Sequence, residues 1–184
     1  KVRGNAYYNL KTGTGELGGS AEPGIVFVSK DVNGNGKPDD EWYELAGSEY
    51  GKDTETRGYE ITYSRPEPAN LDIPWEDNQG NKGVIFRNSF HAQTSYYPLW
   101  IEEDKITFQG TRLKDNAIVE NGLWVGYCYP WGYADNHRND KEDSNFKIDW
   151  AVDSNGESVV LDCIDFVKIT TSINQDAGQM GEIS

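Results

Sequence analysis

The densest chemistry in this 184-residue chain is one short stretch, Asp31-Val-Asn33-Gly-Asn35-Gly36-Lys37-Pro-Asp39-Asp40-Glu41, followed by Trp42, Tyr43 and Glu44. Calcium takes several hard oxygen ligands at about 2.3–2.6 Å, and alternate Asp and Asn side chains on a loop turned by glycine can aim them at one point. Asp31, Asn33, Asn35, the carbonyl of Lys37 and Asp39 fall on those alternate positions. Where a helix-flanked calcium loop places its bidentate Glu, this chain has Trp42, so Asp40 or Glu44 has to supply the last carboxylate. An Asn-Gly turn with solvated acids would explain the bend. It would not explain the crowding, because carboxylates packed into one turn repel unless a cation offsets them. The expected cofactor is therefore a structural Ca2+ that pins the loop beside Trp42 and Tyr43.

A second stretch, Tyr127-Cys128-Tyr129-Pro130-Trp131-Gly132-Tyr133-Ala134-Asp135-Asn136, sets flat rings beside Asp and Asn. Sugars and other amphiphilic ligands use that combination, stacking on a ring and hydrogen-bonding at its edge. The candidate ligand-binding residues are Trp75, Tyr129, Trp131, Tyr133, Asp135 and Asn136. Trp75, Trp131 and Tyr133 lie in Gly-, Pro- or polar-rich segments and are expected at the surface, whereas at least half of the chain's aromatics should be core. A further acidic group, Asp135, Asp140, Glu142, Asp143, Asp149 and Asp153, lacks the calcium spacing and reads as solvated surface.

Catalytic patterns are sparse. His91 and His137 are the two histidines, and neither belongs to an H-E-x-x-H motif; the chain also lacks a G-x-S-x-G elbow and a phosphate-binding P-loop. His91, amid aromatic residues, reads as a partly buried, hydrogen-bonded side chain. Glycoside hydrolysis needs only two opposed carboxylates, for example Asp135 with Asp77, so it stays open as an alternative, although abundant acids are no evidence for it. No catalytic residue is assigned. Cys128 and Cys163 have no C-x-x-C spacing; either they pair in an oxidising compartment or they are buried free thiols, the reading favoured because Cys163 lies within residues 161–167, which look like core.

These residues need elements to hold them. Residues 25–28 form a continuous apolar run, while Tyr59, Ile61 and Tyr63 alternate with polar neighbours at the strand period of two. Strands are likewise expected at residues 84–87 and 105–109, at Leu123 to Tyr127, and from Val167 to Ile173. Asn33-Gly34-Asn35-Gly36, residues 77–81, Asn121-Gly122 and Asn155-Gly156 supply turns. Helix signal is confined to residues 146–152. Many short strands and little helix predict an all-β fold, a β-sandwich or jelly roll with long loops, here as one domain over residues 1–184. The long connections at residues 63–83 and 130–145 carry Trp75 and Trp131 and are expected to be ordered surface loops.

Composition excludes several partners. With 31 acidic against 17 basic residues, a net charge of -14 and no Lys/Arg block, the chain offers no footprint for nucleic acid or an anionic membrane. No apolar run approaches the roughly 20 residues that span a bilayer.

The segments Glu22-Pro-Gly-Ile-Val-Phe-Val28 with Asp31 to Glu44, Trp131-Gly-Tyr-Ala-Asp135-Asn136, Ile148-Asp-Trp-Ala-Val-Asp153 and Ile164-Asp-Phe-Val-Lys-Ile-Thr-Thr171 resemble a family of cell-surface proteins of Bacteroides-type bacteria. Asn174 and Gly181-Glu182 extend the resemblance nearly end to end. It implies an exported lipoprotein, anchored to the outer membrane outside the sequence shown, with a β-sandwich domain. It also implies association with outer-membrane uptake systems, including those for corrinoids, and a domain here lacking its first strand or strands. The expected function is a non-catalytic surface module binding a glycan or a corrinoid-like small ligand. The alternatives are a carbohydrate-active enzyme or a structural, adhesive domain.

Overall fold

The computed structural model describes residues 1–8, 18–178 and 181–183. Among them the strands are β1 (Tyr7–Tyr8), β2 (Gly18–Ser20), β3 (Gly24–Ser29), β4 (Trp42–Leu45), β5 (Glu55–Ser64), β6 (Ile73–Asp77) and β7 (Lys82–Ile85). They continue with β8 (Lys105–Leu113), β9 (Ala117–Glu120), β10 (Leu123–Tyr127), β11 (Ala151–Val152), β12 (Phe166–Thr171), β13 (Gln175–Asp176) and β14 (Glu182–Ile183). The described helical elements are two single 3-10 turns, Glu142–Ser144 and Ile148–Trp150. The chain is all-β, built from antiparallel sheets as in a β-sandwich, and its contacts divide it into two compact units.

The first unit comprises residues 1–55 and 113–173. It holds two four-stranded sheets, ordered β1-β2-β10-β9 and β11-β4-β3-β12. β3 is flanked on both sides and nearly all of its residues are buried, which is why Ile25-Val26-Phe27-Val28 is apolar without alternation. Val26, Val28, Leu45, Ala134 and Ala151 form a core that Tyr43, Phe146 and Trp150 pack against. β9 and β10 close as a hairpin over Asn121-Gly122, both at positive φ (50° and 79°), the combination a two-residue primed turn requires. β12 is an edge strand, so Val167 and Ile169, read as an apolar face, are left about half exposed.

The second unit comprises residues 56–112 and 174–183. It holds a four-stranded sheet, ordered β7-β6-β5-β8, and the β13-β14 pair. Tyr59 and Ile61 of β5 are buried as their alternation predicts. Ile73, Tyr97 and Ile101 form its core, with Tyr63, Ile85, Tyr96 and Ile106 around them. The tight turn in which Ile101 N–H donates to Pro98 O leaves Leu99 and Trp100 largely in solvent.

Several local expectations are corrected. Residues 63–83 are not one loop, because β6 lies within them and pairs with both β5 and β7; Pro74 and the acids Glu76 and Asp77 disguise its strand character. Residues 84–87 form only the end of β7, after which Arg87 N–H caps Asp72 instead of continuing the ladder. Residues 146–152 carry one 3-10 turn and then β11, since Ala151 and Val152 pair with β4. Cys163 is exposed, its neighbours Leu161 and Ile164 turning to the core instead, and Cys128 is half-buried. His91 is exposed, with its backbone taking the turn's hydrogen bonds.

Candidate functional site

Trp131 sits in a loop that the sequence closes on itself. Fully buried Asn136 donates from Nδ2 to Tyr129 O (2.7 Å) and accepts Tyr129 N–H on Oδ1 (2.8 Å). Cys128 Sγ donates to Asn136 O at 2.9 Å, and buried His137 places Nε2 at 2.8 and 2.9 Å from the carbonyls of Tyr129 and Pro130. Because two carbonyls can only accept, Nε2 carries the proton, and Nδ1 takes the Tyr8 hydroxyl at 2.5 Å. Burial raises the Cys128 thiol to about 11 and the Tyr8 phenol to about 12, so both stay neutral donors at ordinary pH.

Tyr133, expected at the surface, is 2% exposed. Its hydroxyl accepts Glu49 N–H at 3.0 Å, and its ring meets Tyr129 edge-on at 5.6 Å. Burial and the nearby charges of Glu55, Glu49 and Glu44 push its phenol far up. Asp135, at φ 49°, uses Oδ1 to hold Ala6 N–H at 2.7 Å. Tyr129 is half-buried and donates its hydroxyl to Lys114 O at 2.5 Å. Trp75, also expected in an exposed loop, is a half-buried residue of β6 in the second unit, its ring lying against Gly83. The structure therefore gathers Tyr129, Trp131, Tyr133, Asp135 and Asn136 in one loop and presents the Trp131 ring at its tip, while the others shape the loop.

The ring opposite Trp131 is Trp150, with centroids 4.6 Å apart and planes tilted by 42°. One extended segment fixes both: Ser48 N–H donates to Trp131 O (3.0 Å) and Ala46 N–H to Trp150 O (2.9 Å). Between them Gly47 and Gly132 let the two segments touch, since a Cβ on Gly132 (φ 93°) would lie 2.5 Å from Gly47 Cα, and one on Gly47 would strike the Tyr133 ring. The two indoles border an open cleft of about 460 Å³ whose other walls are Glu142, Asp143, Asn145 and Lys147. The first 3-10 turn buries Ser144 and projects Glu142 and Asp143 outward, and the Lys147 ammonium lies 5.8 Å over the Trp150 ring. Such a surface can stack one apolar ligand face and hydrogen-bond its rim.

Sequence reasoning missed Trp150, Asn145 and Lys147 and read Glu142 and Asp143 as plain solvated acids. The available signal was a large ring inside the acidic stretch at residues 140–153.

The Asp-Asn loop after β3 curls as its spacing predicts. Asp31 accepts the N–H groups of Asn35 (3.1 Å) and Gly36 (2.8 Å), and Asp39 draws in the amides of Asn33 and Asn35 at 3.0–3.3 Å. Asp40 Oδ2 caps Val32 N–H at 3.1 Å. Glu44, however, is 5% exposed within β4, and its charge acts on Tyr133. The carboxylate that closes on the loop is Asp165, whose Oδ2 accepts Asp31 N–H at 2.8 Å; it is 134 residues away, so no local spacing could reveal it. Among the described residues no three His, Cys, Asp or Glu side chains gather as a metal site, and the Asn33 and Asn35 side-chain oxygens accept the N–H groups of Asn35 and Lys37.

The acid pair considered for hydrolysis is occupied otherwise. Asp77 accepts the Tyr59 hydroxyl and the N–H groups of Gln79 and Asn81. Burial pushes its carboxyl up, but those bonds outweigh burial and hold it below the usual range, the wrong direction for a general acid. Asp135 is committed to Ala6.

No protein-family profile matches this chain, and no curated protein matches it.

Proposed function

We propose that the protein is a non-catalytic ligand-binding module of the bacterial cell surface that takes a glycan or similar amphiphilic small molecule in the Trp131–Trp150 cleft. The observation that carries this reading is a pair of indoles at 4.6 Å, one of them 37% exposed, bordering a cavity rimmed by hydrogen-bonding groups. Aromatic stacking with polar contacts at the edge is the physical basis of sugar recognition, and an exposed Trp held by backbone bonds loses little entropy on binding. Attachment to the outer membrane beside an uptake complex, with corrinoids as a second ligand class, rests on the sequence resemblance alone. A structural Ca2+ in the loop formed by Asp31, Asn33, Asn35, Lys37, Asp39 and Asp40 belongs to the same reading; Asp165 is a better-placed additional oxygen than Glu44.

The test is a thermal-unfolding screen against a broad glycan panel and cobalamin. A ligand that binds only the native state raises the midpoint, by about 2.7 kcal/mol of stability at a hundred times its dissociation constant. The expected result is a reproducible shift with one ligand class that Trp131→Ala removes while its own melt stays cooperative. No shift with any ligand, or an equal shift in the variant, contradicts the proposal.

A further inference from the structure

We infer that the ligand of this cleft carries an ammonium group next to its apolar face, as an amino sugar without its acetyl group does; the inference rests on the ligand-binding reading of the cleft. Three independent features of the lining point to a cation. First, the lining carries two carboxylates, Glu142 and Asp143, and one ammonium, Lys147, so it is net negative, within a chain of net charge -14. Second, the rings offer π faces, whose negative quadrupole attracts a cation by about 0.5–1 kcal/mol at an exposed site. Third, the Lys147 ammonium lies 5.8 Å from the Trp150 centroid, so the cleft already holds a cation over one of its rings.

Lys147 is itself exposed, and its four-carbon stem is flexible, so its ammonium is a displaceable occupant. An incoming ammonium takes the place over Trp150, in a lining that Glu142 and Asp143 make net negative, while the sugar face covers Trp131. An acetamide or hydroxyl in the same position gains neither the cation–π attraction nor the attraction of the two carboxylates. Exposed ion pairs contribute up to about 1 kcal/mol each before screening by salt, so the preference is moderate and salt-dependent.

The experiment is calorimetric titration of the whole chain with three tetrasaccharides of one β-1,4 skeleton: glucosamine tetramer, its N-acetylated form and cellotetraose. The glucosamine tetramer should bind about fivefold to tenfold more tightly than the other two at low salt, with the advantage shrinking at 0.5 M NaCl. Glu142→Gln with Asp143→Asn should reduce the preference below about twofold. Lys147→Gln, by removing the competing ammonium, should widen the ratio of amine to cellotetraose affinity. Glu102→Gln, an exposed charge of the second unit, should change nothing, which separates the cleft from general attraction to an acidic protein.

Equal affinity for all three sugars, or a preference that survives the Glu142/Asp143 double variant, overturns the ammonium inference and leaves the cleft as a binding site for neutral ligands. Failure of every one of the three to bind also overturns it. The ligand-binding reading itself falls only if the broader panel and the Trp131→Ala comparison fail as well.

Discussion

Gly47 and Gly132 decide whether Trp131 and Trp150 meet. At Gly132 a methyl group would both collide with Gly47 Cα at 2.5 Å and demand φ 93° of an L-residue. Gly132→Ala is therefore expected to cost at least about 2 kcal/mol and to lower the unfolding midpoint by several degrees. It should also weaken ligand binding, because the loop that aims Trp131 has to shift. A differential melt and a titration check both; an unchanged melt would mean that the two segments are not held in contact. That the Trp131 loop would be ordered, with rings beside Asp and Asn, was legible in the sequence; that Asp135 and Asn136 would be spent on closing it was not. Nor was it legible which ring faces water. Tyr133 and Asn136 differ from Trp131 only in how the loop closes, and loop closure follows no period that a sequence window can detect.

Elements show the same division. β3, β5, β8 and β10 announce themselves through apolar runs or alternation, and the Asn121-Gly122 turn through its need for positive φ. β6 does not, since a proline and two acids interrupt its pattern, and β11 is two residues that only pairing with β4 makes a strand. The Asp-Asn loop after β3 lies between these cases: its side-chain oxygens recur at alternate positions, while Asp165 arrives from the far end of the chain. If calcium seats there, 1 mM Ca2+ should raise the midpoint above that in chelator by several degrees, and Asp31→Asn with Asp39→Asn should abolish the difference. Coincident melts with no copurifying ion by mass spectrometry would contradict the calcium assignment.

Across the whole molecule, electrostatics set the pH range of stability. Glu49 is 6% exposed; burial pushes its carboxyl up, but hydrogen bonds from Thr54, Ser48 and Lys52 at 2.6–3.3 Å outweigh burial and hold it down. Asp77 and Asp153 are lowered too. A lowered carboxyl binds fewer protons folded than unfolded, so its stabilisation is present above the unfolded value near 4 and is lost as pH falls through the folded one. Glu22 acts in the opposite sense: raised by burial and by Asp135, it favours the fold below its unfolded value and loses that contribution as pH rises. The melting temperature should hold at neutral pH and fall steeply below about pH 4, and Glu49→Gln should flatten that acid limb. An acid limb identical in the variant would remove Glu49 from the account.

The central claim is that ligand binds in the cleft that Trp131 and Trp150 border. Its most direct measurement is a two-dimensional NMR titration of the indole N–H groups, of which the chain has 6. The ligand class that stabilises the protein should move the Trp131 and Trp150 signals together and saturably, leaving those of Trp42, Trp75, Trp100 and Trp124 in place. Movement centred on Trp75 or the exposed Trp100, with Trp131 and Trp150 unchanged, would contradict it.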